Sequence, residues 1–104
     1  MTMTGIGLNQ AVDFSIALDT TPVEILAVES GRKYLLIQNV STEYIGISLT
    51  TATPSVSTSG VGGLGTIVLA PGNGITFDTG NTPANALNGV AASGSGNNLT
   101  IIQW

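Results

Sequence analysis

Apolar and polar residues alternate along much of the chain, with the period of two that marks a strand with one buried face. In residues 11–18, for example, every second residue is apolar: Val12, Phe14, Ile16 and Leu18. The pattern predicts about eight short strands, at residues 11–18, 23–28, 34–38, 44–49, 66–70, 75–78, 85–92 and 99–104. Turn-forming residues separate the strands and no window has a helical period. We therefore expect an all-β fold, an antiparallel, jelly-roll-like β-sandwich.

Residues 31–49 form the centre of this pattern. Two apolar runs, 34–37 and 44–49, flank the polar segment 39–43, which has the length of a hairpin loop. We therefore expect a central hairpin. Its first strand is apolar on both faces and should lie inside a sheet. In the second strand Ile45, Ile47 and Leu49 should point inward, and Gly46 and Ser48 outward.

Three further segments carry local signals. Pro71-Gly72-Asn73-Gly74 predicts a type I′ turn that joins strands 66–70 and 75–78 in a second hairpin. Asn88-Gly89 indicates a bulge in the seventh strand. Residues 50–65 are rich in Ser, Thr and Gly and form the longest loop, a length typical of functional or partner-contacting loops.

The first ten residues differ from the rest. Gly5 and Gly7 oppose a helix, so we expect an extended N-terminal arm over residues 1–10, followed by one sandwich domain over 11–104. Ile6 and Leu8 are the apolar side chains with which the arm could dock on a neighbour.

Charge is scarce. Charged residues make up 8% of the chain, against roughly 25% in ordinary domains. With net charge −4 and only two cations, the protein is not expected to bind nucleic acid. No apolar run reaches the roughly 18 residues of a membrane span, and the N-terminus lacks the features of a secretory signal. So little charge favours a homo-oligomer, in which part of the surface is covered.

Catalytic and metal-binding chemistry is not expected. The chain has no Cys and no His, so thiolate sites and the commonest general base are missing. Residues 60–65 match G-x-G-x-x-G, but the motif precedes a strand rather than a helix and is interpreted as a flexible loop. We predict no enzyme activity, no cofactor and no metal. The alternatives are a pair of carboxylates for glycoside hydrolysis and a calcium site in the turn Asp78-Thr79-Gly80-Asn81.

The remaining candidate residues concern partners. Arg32 and Lys33 are the only cations, and either form ion pairs across a subunit interface or lie at the solvated end of a strand. Trp104 either anchors an interface or closes the core. The predicted partner-contacting residues are Ile6, Leu8, Arg32, Lys33 and Trp104.

Three segments, RKYLLIQNVSTEYIGISL, GTIVLAPGNGITFDTG and ANALNGVAASGSGNNLTIIQW, resemble small virion proteins of tailed bacteriophages. The resemblance covers roughly residues 11–104 and is a folding pattern rather than a catalytic motif. The matching positions are Arg32, Leu35, Ile37, Gln38, Asn39, Pro71, Gly72, Phe77, Leu99, Ile101 and Ile102.

This resemblance implies a capsid decoration, or cement, protein. Such a protein would bind the outer surface of the major capsid protein shell and stabilise it, commonly as a trimer, after assembly in the host cytoplasm. Two alternatives stay open: another virion component of the tail, neck or fibre, and a carbohydrate-binding or adhesin module. The carbohydrate alternative would depend on exposed aromatic residues, for which the candidates are Tyr34, Tyr44 and Trp104.

Overall fold

The computed structural model describes residues 12–78 and 80–104. All regular elements in these residues are strands, which confirms the all-β prediction: β1 (Val12–Leu18), β2 (Val23–Leu26), β3 (Leu35–Asn39), β4 (Ile45–Ser48), β5 (Ile67–Leu69), β6 (Gly74–Phe77), β7 (Leu87–Ala91) and β8 (Asn97–Gln103). Each one overlaps a strand predicted from the alternation. The predicted arm, residues 1–10, lies outside the described residues.

The eight strands form two antiparallel sheets of four, as expected for a sandwich. The order is β1-β8-β3-β6 in the first sheet and β2-β7-β4-β5 in the second. The chain pairs from its ends inward: β1 with β8, β2 with β7, β3 with β6, and β4 with β5. It therefore passes from one sheet to the other at every connection except that between β4 and β5.

The core lies between the two sheets and consists of leucine and isoleucine side chains. Seven of them are completely buried on the central strands: Leu35, Ile37, Ile45, Ile47, Leu87, Leu99 and Ile101. Burying one such side chain contributes about 1.5–3 kcal/mol. The prediction that the third strand lies inside a sheet is confirmed, because β3 is paired with β8 on one side and with β6 on the other.

The predicted central hairpin over residues 31–49 is wrong, because β3 and β4 lie in different sheets. The buried side chain of Asn39 holds the crossing. Its amide nitrogen donates to the carbonyl oxygens of Glu43 and Leu69 at 2.7 and 2.9 Å, and its oxygen accepts from the backbone and hydroxyl of Ser41. A hairpin loop and a crossing of this length have the same pattern of apolar and polar residues.

The second predicted hairpin is also wrong, since β5 and β6 lie in different sheets. The turn between them begins at Ala70, whose carbonyl accepts from the Asn73 amide at 2.9 Å. Gly72 has a φ of 84°, whereas Gly74 belongs to β6 and has no positive φ. Proline at the second position and a positive-φ glycine at the third are the pattern of a type II turn rather than type I′.

A bulge does occur at Asn88, but its extra residue lies in the neighbouring strand. Glu24 of β2 pairs with Asn88 and Leu26 pairs with Leu87, which leaves Ile25 without an opposite residue. The register shift allows the consecutive residues Ile25 and Leu26 both to be buried.

Candidate interaction surface

Arg32 is buried, with 6% of its surface exposed, where the chain enters β3. Its guanidinium donates to four oxygens from three separate segments: Gln103 Oε1 at 2.9 Å, Pro83 O at 2.6 Å, Asn85 O at 3.2 Å and Ala27 O at 2.9 Å. Burial lowers the pKa of Arg32, and the nearby charge of Glu29 partly opposes that shift. The four acceptors are neutral, so the guanidinium works as a multiple hydrogen-bond donor.

We call Arg32 and its four acceptors the Arg32 clamp. An open groove of about 250 Å³ lies beside it. Six residues line it, none of them charged: Val28, Thr50, Thr51, Asn85, Ala86 and Asn88. Arg32 fixes two of its walls, because the carbonyls of Ala27 and Asn85 adjoin Val28 and Ala86. The Asn85 amide also donates to Leu49 O at 3.1 Å, which ties this wall to the end of β4.

A second groove, of about 240 Å³, adjoins the first and shares Thr51 and Asn88 with it. Glu24 and Pro22 contribute to its lining, together with residues 51–54. Because Glu24 is charged, this groove suits an uncharged apolar group less well than the first.

Residues 50–66, the cover loop, fold back over the outer face of the second sheet. All four residues of β4 are buried, although Gly46 and Ser48 were predicted to point outward. A Cβ at Gly46 would lie 2.8 Å from Thr66 Cγ2, so the loop packs directly on the strand. At Gly62 a Cβ would lie 2.7 Å from Val68 Cγ2, which places the same loop against β5.

The tip of the cover loop is held by its own hydrogen bonds. Ser57 N donates to Val61 O at 2.9 Å, and Gly63 N donates to Ser55 O at 2.9 Å. The next turn closes where Thr66 N donates to Gly63 O at 3.2 Å, with Gly65 at a φ of 75°. These bonds leave two apolar side chains on the outside, Val61 at 68% and Leu64 at 96% exposed.

Tyr34 and Trp104 stack on one another with ring centroids 4.2 Å apart. The Trp104 carbonyl also accepts from the amides of Lys33 and Tyr34, at 2.6 and 2.9 Å. Trp104 is half-buried and Lys33 is exposed, so both stay predictions as partner-contacting residues. Arg32 differs from these two residues, because its side chain is buried and its donors bind acceptors within the same chain. Ile6 and Leu8 lie outside the described residues.

The three aromatic candidates for carbohydrate binding, Tyr34, Tyr44 and Trp104, pack partly against other residues of the chain. Tyr34 and Trp104 each give one face to the other, and the Tyr44 ring packs against Gly60, where a Cβ would approach to 2.7 Å. Sugar binding therefore stays a prediction, which the positions of these three rings do not support.

The glycine motif and the calcium candidate lie in loops and turns, and two of the candidate carboxylates accept hydrogen bonds within the chain. The glycines of the G-x-G-x-x-G motif belong to the cover loop and are followed by β5. Asp19 accepts from the Thr21 amide at 2.8 Å and Glu43 accepts from the Ser93 hydroxyl at 2.8 Å. At the proposed calcium turn, Asp78 O accepts from the Asn81 amide at 2.9 Å, and Thr79 lies outside the described residues. Across residues 12–78 and 80–104, no three Asp or Glu side chains gather as a metal site would require.

The comparisons add no relative. No protein-family model, curated protein or solved structure matches the chain. In the part of the chain that the structure describes, there is no helix of the length and apolar character needed to cross a membrane.

Proposed function

We propose that the protein is a structural component of a bacteriophage virion, a decoration protein that binds the outer surface of the major capsid protein shell as a trimer. The observation that carries the proposal is the hydrogen-bonded, uncharged tip of the cover loop, which presents Leu64 almost fully to solvent. Val61, 68% exposed, belongs to the same tip, so the loop offers two apolar side chains to a partner rather than one isolated leucine.

The pairing of the strands supports the same class. We infer a jelly roll from the nested pairs β1–β8, β2–β7, β3–β6 and β4–β5, which wrap one long hairpin into two sheets. Jelly rolls are common in viral capsid proteins and also in lectins and cupins, so the fold favours a virion role without excluding the others.

Among the described residues, the edge of β1 that has no paired strand offers a second way to join a shell. β1 is an edge strand of seven residues, paired with β8 without a register shift. The other edge strands are β2, which has a bulge, and β5 and β6, with three and four residues. Long regular edges accept further strands, whereas short or bulged edges resist them.

Binding to shells tests the proposal. Empty shells assembled from the capsid protein of the phage that encodes this chain are mixed with the purified protein and pelleted. We expect saturable co-sedimentation and a higher unfolding temperature of the shell. Free protein at every ratio, with shells of unchanged stability, would overturn the decoration role. Binding to isolated tails instead would favour the alternative virion location.

A further inference from the structure

We infer that Asn73 is a site of spontaneous covalent modification, at which the nitrogen of Gly74 attacks the side-chain amide of Asn73 in the folded protein. The inference goes beyond the proposed function, because it requires no partner. It depends on a contrast between the two Asn-Gly pairs of the chain, Asn73-Gly74 and Asn88-Gly89. Asparagine is a thermolabile residue, and a following glycine favours the attack because it has no Cβ in the way.

The reaction needs only water and exchanges an amide for a carboxyl group. The bond from Gly74 N to Asn73 Cγ forms, the Cγ–Nδ2 bond breaks, and Nδ2 leaves as ammonia with the proton that Gly74 N gives up. The product is a cyclic imide. Water then adds across one of the two imide C–N bonds, its oxygen to carbon and a proton to Gly74 N. Opening on one side gives aspartate, and opening on the other gives isoaspartate, in which the main chain passes through Cγ.

The amide of Gly74 is not used within the sheet. Asn39 N donates to Asn73 O at 2.8 Å, so this pair is hydrogen-bonded across β3 and β6. Bonded and non-bonded pairs alternate between antiparallel strands, so the next pair, Gln38 with Gly74, directs the Gly74 N–H away from β3. Because β6 is an edge strand among the described residues, no paired strand accepts that N–H.

Asn73 itself is accessible. It ends the turn between β5 and β6, where its amide donates to Ala70 O at 2.9 Å, and both Asn73 and Gly74 are exposed. The water that opens the imide therefore reaches the site without any unfolding. A residue at the end of a turn on an edge strand also opens locally more often than one inside a sheet.

Asn88-Gly89 has the same two residue types in the opposite surroundings. Gly89 is buried in β7 and pairs with Val23 of β2 on one side and with Ile47 of β4 on the other. Its N–H therefore points at a neighbouring strand whichever way it faces. A Cβ at Gly89 would lie 3.1 Å from Leu18 Cδ1, so the space around it is filled. The attack at this pair requires β7 to open, and central strands open rarely.

The modification changes the turn that connects the two sheets. It adds one negative charge to a chain of net charge −4. In the isoaspartate product the carbonyl that accepts from Asn39 N becomes a free carboxylate, and the main chain gains one carbon atom before Gly74. Asn39 O also accepts from the Gly72 amide at 2.9 Å, so this turn is bonded to the crossing from β3 to β4. We therefore expect the modified protein to be less stable.

Incubation of the purified protein at mildly alkaline pH, followed by mass spectrometry, tests the inference. Chymotrypsin cleaves after Phe77 and so separates the two Asn-Gly pairs, and an isoaspartate-specific methyltransferase labels the rearranged product. In the folded protein we expect Asn73 to convert at least about a hundredfold faster than Asn88, since only the second site requires a central strand to open. In guanidinium chloride, where β7 is unfolded, the two sites should convert at similar rates.

Two matched variants assign the reaction to one residue. Asn73→Gln cannot form the same ring, because its longer side chain would close a less favourable larger one, and Asn88→Gln is the control. We expect conversion in the folded protein to be lost in Asn73→Gln and unchanged in Asn88→Gln, with both variants folded by circular dichroism. The unfolding temperature should fall during incubation of wild type and stay constant in Asn73→Gln.

Three results would overturn the inference: no conversion at Asn73 in the folded protein while the chain in guanidinium chloride converts, equal rates at Asn73 and Asn88 in the folded protein, or conversion that persists in folded Asn73→Gln. An unfolding temperature that stays constant after full conversion would overturn the effect assigned to the turn.

Discussion

The two ends of β3 are each tied together by one buried polar side chain, Arg32 before the strand and Asn39 at its end. Asn39 is balanced: it donates two hydrogen bonds and accepts two, all within the turn and the neighbouring β5. Arg32 only donates, and its charge is surrounded by neutral acceptors. Burial lowers the pKa of Arg32, whereas Asn39 is a neutral amide and has no charge to desolvate.

The difference shows what each end does. A neutral amide is enough to turn the chain from one sheet to the other. A buried guanidinium costs desolvation energy, and its advantage is reach, since five donors can hold carbonyls on three segments at once. At the Arg32 end those carbonyls fix the walls of the groove, so we interpret this end as the one shaped for binding.

The largest effect is expected from removing the Arg32 donors. Arg32→Met keeps much of the side-chain volume but leaves the carbonyls of Ala27, Pro83 and Asn85 without their donor. We expect a loss of about 4 kcal/mol in the free energy of unfolding, measured by urea denaturation. Arg32→Lys is the control that keeps the charge. It should lose about half as much, because one ammonium cannot span acceptors so far apart. Equal stability of Arg32→Met and wild type would contradict the clamp.

Asn39→Asp tests the opposite end with a change of a single group. The carboxylate would face the carbonyl oxygens of Glu43 and Leu69, so we expect about 3 kcal/mol of destabilisation at pH 7. Because this site raises the pKa of the introduced carboxyl, the folded state binds the proton more tightly than the unfolded state. The deficit relative to wild type should therefore shrink as the pH falls through that raised pKa.

No deficit in Asn39→Asp would show that the amide is not needed as a donor, and a pH-independent deficit would show that the new carboxylate does not face the two carbonyl oxygens. Thermal melts between pH 4 and pH 7, with wild type measured alongside, decide between these results.

Gly46→Ala tests the packing of the cover loop on the second sheet. The new methyl group would overlap Thr66, so we expect a loss of about 1–2 kcal/mol and faster proteolysis within residues 50–66. Gly72→Ala is the matched comparison. It meets no atom within 4 Å but sits at a φ of 84°, so it should cost about 1 kcal/mol and leave the cover loop protected. Similar cleavage of the two variants would argue against a packed loop.

The smallest effect on stability belongs to Leu64. Since its side chain is 96% exposed, Leu64→Ser should change the free energy of unfolding of a single chain by less than about 0.5 kcal/mol. The comparison is made at protein concentrations too low for assembly. A large loss there would mean that Leu64 supports the fold rather than a contact.

Strand positions could be predicted because alternation reflects burial on one face, as residues 11–18 and 44–49 illustrate. The partner of each strand could not be predicted, because apolar and polar residues alternate in the same way whether two strands form a hairpin or the chain crosses to the other sheet. Asn39 illustrates this: its side chain bonds to Glu43 in the crossing and to Leu69 in β5, contacts that the alternation does not contain.

The candidate surface was predicted less well. Of the two alternatives for Arg32, a solvated strand end is wrong, since the residue is buried, and the interface alternative stays a prediction. Its burial could not be predicted, because its acceptors come from residues distant in sequence. The glycine spacing of the cover loop did carry a signal: Gly60 and Gly62 lie where the loop packs against Tyr44 and Val68. The groove depends on three segments meeting and has no signature in any one of them.

Electron microscopy of the intact particle tests the central claim most directly. On the proposed role a phage encodes the chain, and reconstruction of that phage's virions, beside virions of a mutant lacking the chain, would show where the copies sit. The proposed decoration role predicts difference density for sandwich-shaped trimers on the outer face of the shell. Difference density confined to the tail or neck, or none in the particle, would contradict it.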